Sequence, residues 1–396
     1  MKHRIVVLGA GYAGAIATGR LAARLYGDEV SITLVNAESD FVERVRMHQV
    51  ATGQDLKFRP FDEVYAGTGV VLKVANVTRV DVEHKTVALD SDKHGGEELE
   101  YDTLVYALGS RWNPQGVAGT TDNAYEIASR PGALRTRDRL STLTNGQPVT
   151  VVGGGLTGVE FVTELAEARP ELDIALLVRG TLGDWLSPRG RKHLRKVLDR
   201  LGITVHENAA VTHVEADQVS TGDGRTIPSA VTVWTAGFAV HPIVQETGLE
   251  VSETGRIVVD ETMRSVSHPD VYAIGDAAYA MGSKNKPLRM SCASGQPMAW
   301  QAADSIAARL TGGKLPHSPL AYFNQCISLG RKNGLIQYVT SDDRSVNAAL
   351  TGRVAALYKE AICKGAAWAV SNPMLGLPTR RRHLIRPAVP LREWTS

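Results

Sequence analysis

Two stretches of the form G-x-G-x-x-G, set 144 positions apart, constrain this 396-residue chain more than any other feature. The first, Gly9-Ala10-Gly11-Tyr12-Ala13-Gly14, follows the apolar run Ile5-Val6-Val7-Leu8. The second, Gly153-Gly154-Gly155-Leu156-Thr157-Gly158, follows Val149-Thr150-Val151-Val152. An apolar strand that turns through such a sequence into a helix lets backbone N–H groups approach a pyrophosphate at the helix N-terminus. One copy arises readily by chance, so the strand–turn–helix context of both copies carries the argument. Two dinucleotide sites in one chain imply electron transfer between two dinucleotides.

Both units continue in the same way. After Gly14, Ala17, Leu21 and Leu25 recur at helical spacing, and Val30 to Val35 alternates as a second strand that ends at Asn36. After Gly158, Val162, Leu165 and Ala166 share a helix face, and the strand Ile174 to Val178 ends at Arg179. Three more apolar runs end in glycine: Tyr101 to Gly109, closing with Ala107-Leu108-Gly109; Ala230 to Gly237; and Val271 to Ile274, ahead of Gly275-Asp276. From about residue 320 the pattern changes to a strand pair, an amphipathic helix over 350–370, and a basic tail with Arg380, Arg381, Arg382 and Arg386. The expected fold class is α/β, with two Rossmann-like dinucleotide-binding domains and a small C-terminal α+β region.

Composition narrows the partners. Lysine plus arginine number 44 against 42 acids, which leaves no electrostatic footprint for nucleic acid. Cys292, Cys326 and Cys363 are the whole cysteine complement and contain no C-x-x-C pair. That argues against a disulfide framework and a redox-active dithiol. No metal-ligand spacing stands out. The chain enters a strand directly after Met1-Lys2-His3, which leaves no signal peptide, and no apolar run approaches the ~18 residues that span a bilayer. A cytoplasmic protein is expected, at most peripheral to the inner face of the membrane.

Gly9 to Gly14, Ala107-Leu108-Gly109, Gly153 to Glu160, Thr235-Ala236-Gly237 and Gly275-Asp276 together resemble the two-dinucleotide flavoprotein oxidoreductases. Within them the chain most resembles the type II NADH:quinone dehydrogenase and apoptosis-inducing-factor-like branch. The resemblance implies FAD at the first fingerprint and NADH or NADPH at the second. It also implies a discontinuous FAD domain (1–112 and 238–318), an inserted NAD(P) domain (113–237) and a C-terminal capping region (319–396). The cofactor-binding positions carried over are Gly9, Gly11, Tyr12, Ala13, Gly14, Asn36, Arg44, Ala107, Leu108, Gly109, Gly153, Gly155, Thr157, Gly158, Arg179, Gly237, Gly275, Asp276 and Gln296. Asp276 matches an aspartate that binds the FAD ribityl chain; a plain helix N-cap is the other reading.

The chain departs from the pattern at several places. Asn36 stands where an acid commonly accepts the adenosine ribose hydroxyls, and its amide oxygen can still accept one hydrogen bond. Arg179 stands where an acid would select NADH, and an arginine there attracts a 2′-phosphate, so the reading leans to NADPH. A solvated arginine is the alternative; Arg189 and Arg191 are candidate helpers. Glu160 resembles a glutamate placed near the nicotinamide, yet Glu160, Glu164 and Glu167 also fit one solvated helix face. The segment Phe41 to Gly53 resembles the stretch beneath the flavin ring. It offers Arg46 and His48 to stabilise negative charge on the reduced flavin or to protonate a product, or else it is a solvated amphipathic helix. Gly295-Gln296 loosely matches a quinone-side pattern, which Trp300 interrupts. Cys292 is read as a small buried residue.

The resemblance thus implies a flavin enzyme that takes hydride from NAD(P)H and passes electrons to a small acceptor, with a quinone leading. A reductase for a specific metabolite or redox partner, and a non-enzymatic NAD(P)H sensor, are the competing readings. In the C-terminal region Arg353, Lys359 and Lys364 with Leu357, Ile362 and Trp368 suit a membrane-surface helix, a homodimer contact or core packing.

Overall fold

The computed structural model describes residues 1–91, 95–317, 319–373 and 380–385; Arg386 of the basic tail lies outside the described residues. Its first sheet is parallel and has the spatial order 271–273, 103–106, 3–8, 30–36 and 71–74. The strand that opens the chain, His3–Leu8, therefore sits at the centre, and Ile5 to Leu8 are buried on both faces as a parallel sheet requires. The outermost strand, Val271–Ala273, arrives only after the second unit has been completed.

The second sheet repeats the plan with the order 204–206, 173–177, 148–152, 231–234 and 124–125. Here too the strand before the glycines, Pro148–Val152, is central. In both sheets the strand order reverses beside the glycine turn, which is where open α/β sheets take ligands. Two short antiparallel strands, Ser110–Trp112 and Phe238–Val240, pair where the chain passes into and out of the second unit.

Six helices matter for the site. They are α1 (Tyr12–Arg24), α2 (Met47–Ala51), α3 (Arg130–Ser141), α4 (Leu156–Ala168), α5 (Cys292–Thr311) and α6 (Arg353–Ser371). Helix α1 packs on α5 through small side chains. Ala15, Ala17, Ala299, Ala302 and Ala303 are all buried, and Arg20 binds Asp304 across the contact at 2.6 Å. The chain reaches α2 through a 3-10 turn, Arg44–Arg46, and α2 buries Met47, His48, Val50 and Ala51. A solvated helix over this stretch is thereby ruled out.

The C-terminal region holds three antiparallel strands, 324–328, 334–339 and 345–351, where the sequence suggested a pair. The third is an edge strand that buries only Ala349, so its alternation is faint. Helix α6 lies across this sheet. None of the helices among the described residues is long and apolar enough to cross a membrane.

Candidate functional site

The first cradle is shaped by backbone contact. Gly9 has φ +90°, and a Cβ at Gly14 would run into the Gly9 carbonyl oxygen. Only glycine meets both demands. Gly11 caps α1 without any side-chain hydrogen bond, so the first N–H groups of the helix have no side-chain acceptor there. Ala13 packs beside Gly275, and Ala107 closes on Gly9 and Gly14.

Asn36 does something other than expected. Its Oδ1 accepts the Ala10 N–H at 2.9 Å, and its Nδ2 donates to the Glu38 carbonyl at 2.8 Å. The amide oxygen thus braces the glycine loop, a role that the sequence did not suggest.

Across the cleft, Gly109 and Gly275 have φ +69° and +68°. Asp276 lies inside a 3-10 turn whose cap is Ile274, so the N-cap reading of the aspartate fails. Asp276 Oδ2 accepts the Ser110 hydroxyl at 2.6 Å and lies 3.8 Å from Arg44 Nη1. The Arg44 guanidinium sits over the Phe238 ring, 5.2 Å from its centroid. Sequence reasoning missed Ser110 and Phe238, yet each directly follows a glycine it singled out, Gly109 and Gly237. Arg44 Nη2, Gln296 Nε2 and the Tyr12 hydroxyl are buried without a hydrogen-bond partner among the described residues. Buried donors are rarely left so, and an uncapped helix start beside orphaned Arg and Gln donors fits a bound dinucleotide diphosphate.

The second cradle copies the first. Gly153 has φ +123°, and a Cβ at Gly158 would run into the Gly153 carbonyl and lie 2.6 Å from Thr235 Oγ1. Thr235 Oγ1 itself donates to the Val152 carbonyl at 2.9 Å. Gly155 caps α4 with no side-chain bond, and Thr157 lies in the first turn. Gly237, at φ +88°, faces the Gln115 side chain. Arg179 is exposed at the end of its strand, and its guanidinium has no partner among the described residues. Arg191 is anchored through Nε and Nη2, which donate to the Gly183 and Asp184 carbonyls at 3.0 and 3.2 Å. Arg189 is exposed.

Behind this cradle the acidic face of α4 is not solvated. The C-terminal layer covers it. Glu164, 1% exposed, accepts from Arg331 Nε at 2.9 Å and Gln54 Nε2 at 2.5 Å, and Glu167 accepts the Arg331 backbone N–H at 2.6 Å. Glu160, 7% exposed, accepts Lys359 Nζ and the Ser328 N–H, both at 2.9 Å. Burial pushes the Glu160 carboxyl upward, but Lys359, His48 and the Ser328 N–H outweigh it and hold the group below its ordinary range. Burial pulls Lys359 down, and Glu160 more than reverses that, so the ammonium stays charged. Of the surface, dimer-contact and packing readings open for Lys359, the structure favours packing: its side chain is only 17% exposed, and its Nζ also donates to the Cys326 carbonyl at 3.2 Å.

His48 faces the same group. Its Nδ1 is 4.0 Å from Glu160 Oε2, and its Nε2 is buried without a partner. Burial pulls the imidazole down to about 4; Glu160 opposes this while Lys359 and Arg46 reinforce it, so His48 is neutral near pH 7. Arg46 is paired with carboxylates, Glu360 Oε2 at 2.9 Å and Glu43 Oε2 at 3.2 Å. The cysteines are free thiols, and burial pushes Cys326 up to about 11, away from thiolate reactivity.

Comparison with known proteins accords with this geometry. The family described as pyridine nucleotide-disulphide oxidoreductase matches residues 3–307. The NADH dehydrogenase-like protein YutJ of Bacillus subtilis is 28% identical over 336 residues, 84% of this chain and 91% of the relative. Demethylphylloquinone reductase NdbB of Synechocystis is 24% identical over 90% of this chain and 92% of the relative. Among solved structures, NDH2 from Plasmodium falciparum in complex with NADH superposes with a TM-score of 0.78 at 15% identity, over 94% of this chain and 97% of that one.

Proposed function

The chain belongs to the pyridine nucleotide-disulphide oxidoreductase family and is an FAD-dependent NAD(P)H oxidoreductase, and we propose that it prefers NADPH and reduces a quinone. FAD, when bound, supplies the two-electron chemistry, accepting hydride and passing electrons on. The observation that carries the reading is a pair of uncapped glycine cradles, one of them beside the orphaned donors Arg44 and Gln296.

Under this proposal the Gly9 to Gly14 turn and α1 hold the FAD pyrophosphate, with Ala107, Leu108 and Gly109 closing over it. Arg44 and Gln296 donate to the cofactor, and Asp276, fixed by Ser110, accepts from its sugar hydroxyls. Asn36 holds the loop rather than the ligand. The Gly153 to Gly158 turn and Gly237 hold the nicotinamide dinucleotide. The unpaired Arg179 forks onto the 2′-phosphate, which an acid at this position would repel. Glu160 marks the nicotinamide end, and Arg46 and His48 form the polar floor. The division into FAD domain (1–112, 238–318), NAD(P) domain (113–237) and cap (319–396) follows the same reading and is supported by the strand pair that joins Ser110–Trp112 to Phe238–Val240.

A quinone acceptor draws support from NdbB, named a demethylphylloquinone reductase. It is also supported by the outer face of α6, where Leu357 and Trp368 are 71% and 57% exposed beside Val354 and Ile362. An apolar helix face of this kind suits peripheral contact with the membrane in which quinones dissolve. Anaerobic stopped-flow tests the function. NADPH should bleach the bound flavin, and a short-chain quinone should restore its colour. Bleaching without recovery on quinone addition would reject the acceptor, and faster bleaching by NADH than by NADPH would reject the coenzyme preference. Binding to liposomes that Leu357→Glu does not weaken would reject the membrane face.

A further inference from the structure

We propose that the His48 imidazole is the site where this enzyme stores the one solution proton its reaction consumes. The inference rests on the oxidoreductase reading and deepens it. The overall balance is NAD(P)H plus one proton plus quinone, giving NAD(P)⁺ plus quinol. Hydride supplies two electrons and one proton. The second proton must come from water and must be held close to the acceptor.

Three elements converge on the place where it would be held. Helix α2 brings His48, the first turn of α4 brings Glu160, and α6 brings Lys359. Arg46 is the other charge felt by the imidazole. Glu160 and Lys359 form a closed pair at 2.9 Å and neutralise each other, with the Ser328 N–H and the Cys326 carbonyl completing their bonding. Glu160 Oε2, 4.0 Å away, favours the tautomer with the proton on Nδ1. That leaves the lone pair on Nε2, a buried atom to which no described residue offers a donor. A group with a vacant basic nitrogen, 5% exposed and beside a self-compensated ion pair, is set to respond to a new charge.

The new charge comes with hydride. Its departure from NAD(P)H leaves NAD(P)⁺, and once that diffuses away the site holds one excess negative charge. Cys292, at the start of α5, interacts electrostatically with Lys359, Glu160 and Asp276 alike, which links the His48 cluster to the site proposed for the flavin; a negative charge added there raises the proton affinity of the imidazole. Nε2 then takes a proton from water, and the imidazolium, facing Glu160, carries it until the quinone receives hydride equivalent and proton together. His48 returns to neutrality and the charges balance at every stage.

The test counts protons. Holoenzyme in weak buffer with a pH indicator dye is reduced anaerobically by one equivalent of NADPH, while flavin absorbance is followed in the same cell. Wild type should take up at least about half a proton per flavin near pH 6, with the uptake declining toward pH 8 as the imidazole ceases to hold it. His48→Gln should lose most of that uptake when protons are counted per flavin reduced. Equal uptake in His48→Gln and wild type, or no uptake by wild type near pH 6, would overturn the assignment while leaving the oxidoreductase reading intact. Failure of both NADPH and NADH to bleach the flavin would instead sink that reading, and the proton store with it. If His48→Gln does not fold, His48→Asn and the pH profile of wild-type uptake decide the matter alone.

Discussion

Helices α1 and α4 stand behind equivalent glycine turns, yet they are packed by opposite means. Behind the first cradle, α1 meets α5 through alanines, with Arg20 and Arg24 sharing Asp304 at the margin. Behind the second, α4 meets the C-terminal layer through Glu160, Glu164 and Glu167, each matched to a donor from that layer. The same backbone motif therefore tolerates either an apolar or a charged back wall. On the proposed assignment of the two cradles, the apolar wall lies behind the resident flavin, and the charged wall links the exchanging coenzyme to α6, the helix whose outer face is apolar and exposed.

The sharpest way to break that contrast is Lys359→Met. It leaves the Glu160 carboxylate buried without its cation, a change that costs about 3–5 kcal/mol. The comparable change in the first unit, Arg20→Met, leaves Asp304 with Arg24 and should cost about 1 kcal/mol. The pH dependence should also invert. In wild type the carboxyl of Glu160 is held below its ordinary 4.5, so its contribution is present above that pH and lost as pH falls. In Lys359→Met, burial dominates and the carboxyl rises, so stability declines as pH climbs above about 4.5. Urea titrations at several pH values would measure both, and parallel curves for the two proteins would show that the pair does not matter.

His48 adds a second acid-sensitive element to the charged wall. The unfolded imidazole binds a proton below about 6.5, whereas the folded one does not until about 4. Over that window the unfolded chain gains about 3 kcal/mol on the native state. Wild-type stability should therefore fall as pH drops from 6.5 to 4, and His48→Gln should flatten the slope. An unchanged slope would move the acid sensitivity elsewhere.

The cradles themselves should separate in function. Gly14→Ala and Gly158→Ala each force a Cβ onto a backbone carbonyl, at a cost of about 1–3 kcal/mol or more. Gly14→Ala should be purified without flavin. Gly158→Ala should stay yellow and fail to bleach with NADPH. Loss of flavin from both would mean that the two units do not bind independently.

These roles were unequally legible. The glycine turns and central strands were readable because close backbone approach and full burial leave residue types almost no latitude. The return of the chain to the first sheet at Val271–Ala273 was expected only through the family resemblance that Gly275-Asp276 helps to carry. The charged wall was not. Glu160, Glu164 and Glu167 have the spacing of a solvated face, and nothing local distinguishes acids facing water from acids facing a layer contributed far later in the chain by Ser328, Arg331 and Lys359. Lys359 was hidden for the same reason, within a helix whose other cations are exposed. Arg46 was visible as a charge, but its two acidic partners were not.

The strand ends give the smallest and most discriminating test. Arg179 has no partner among the described residues, which suits it to act on a ligand; Asn36 spends both halves of its amide on Ala10 and Glu38. Arg179→Glu exchanges an attraction for a repulsion. A charged hydrogen bond is worth about 1.5–3 kcal/mol, so the ratio of kcat/KM for NADPH over NADH should fall by about ten- to hundredfold. Asn36→Ala removes two neutral hydrogen bonds at about 1 kcal/mol or less each, from a loop that its own glycines already shape. Flavin should then dissociate less than about tenfold more readily, with coenzyme preference unchanged. Complete loss of flavin from Asn36→Ala would mean that the amide touches the cofactor after all, and the two strand ends would then be equivalent.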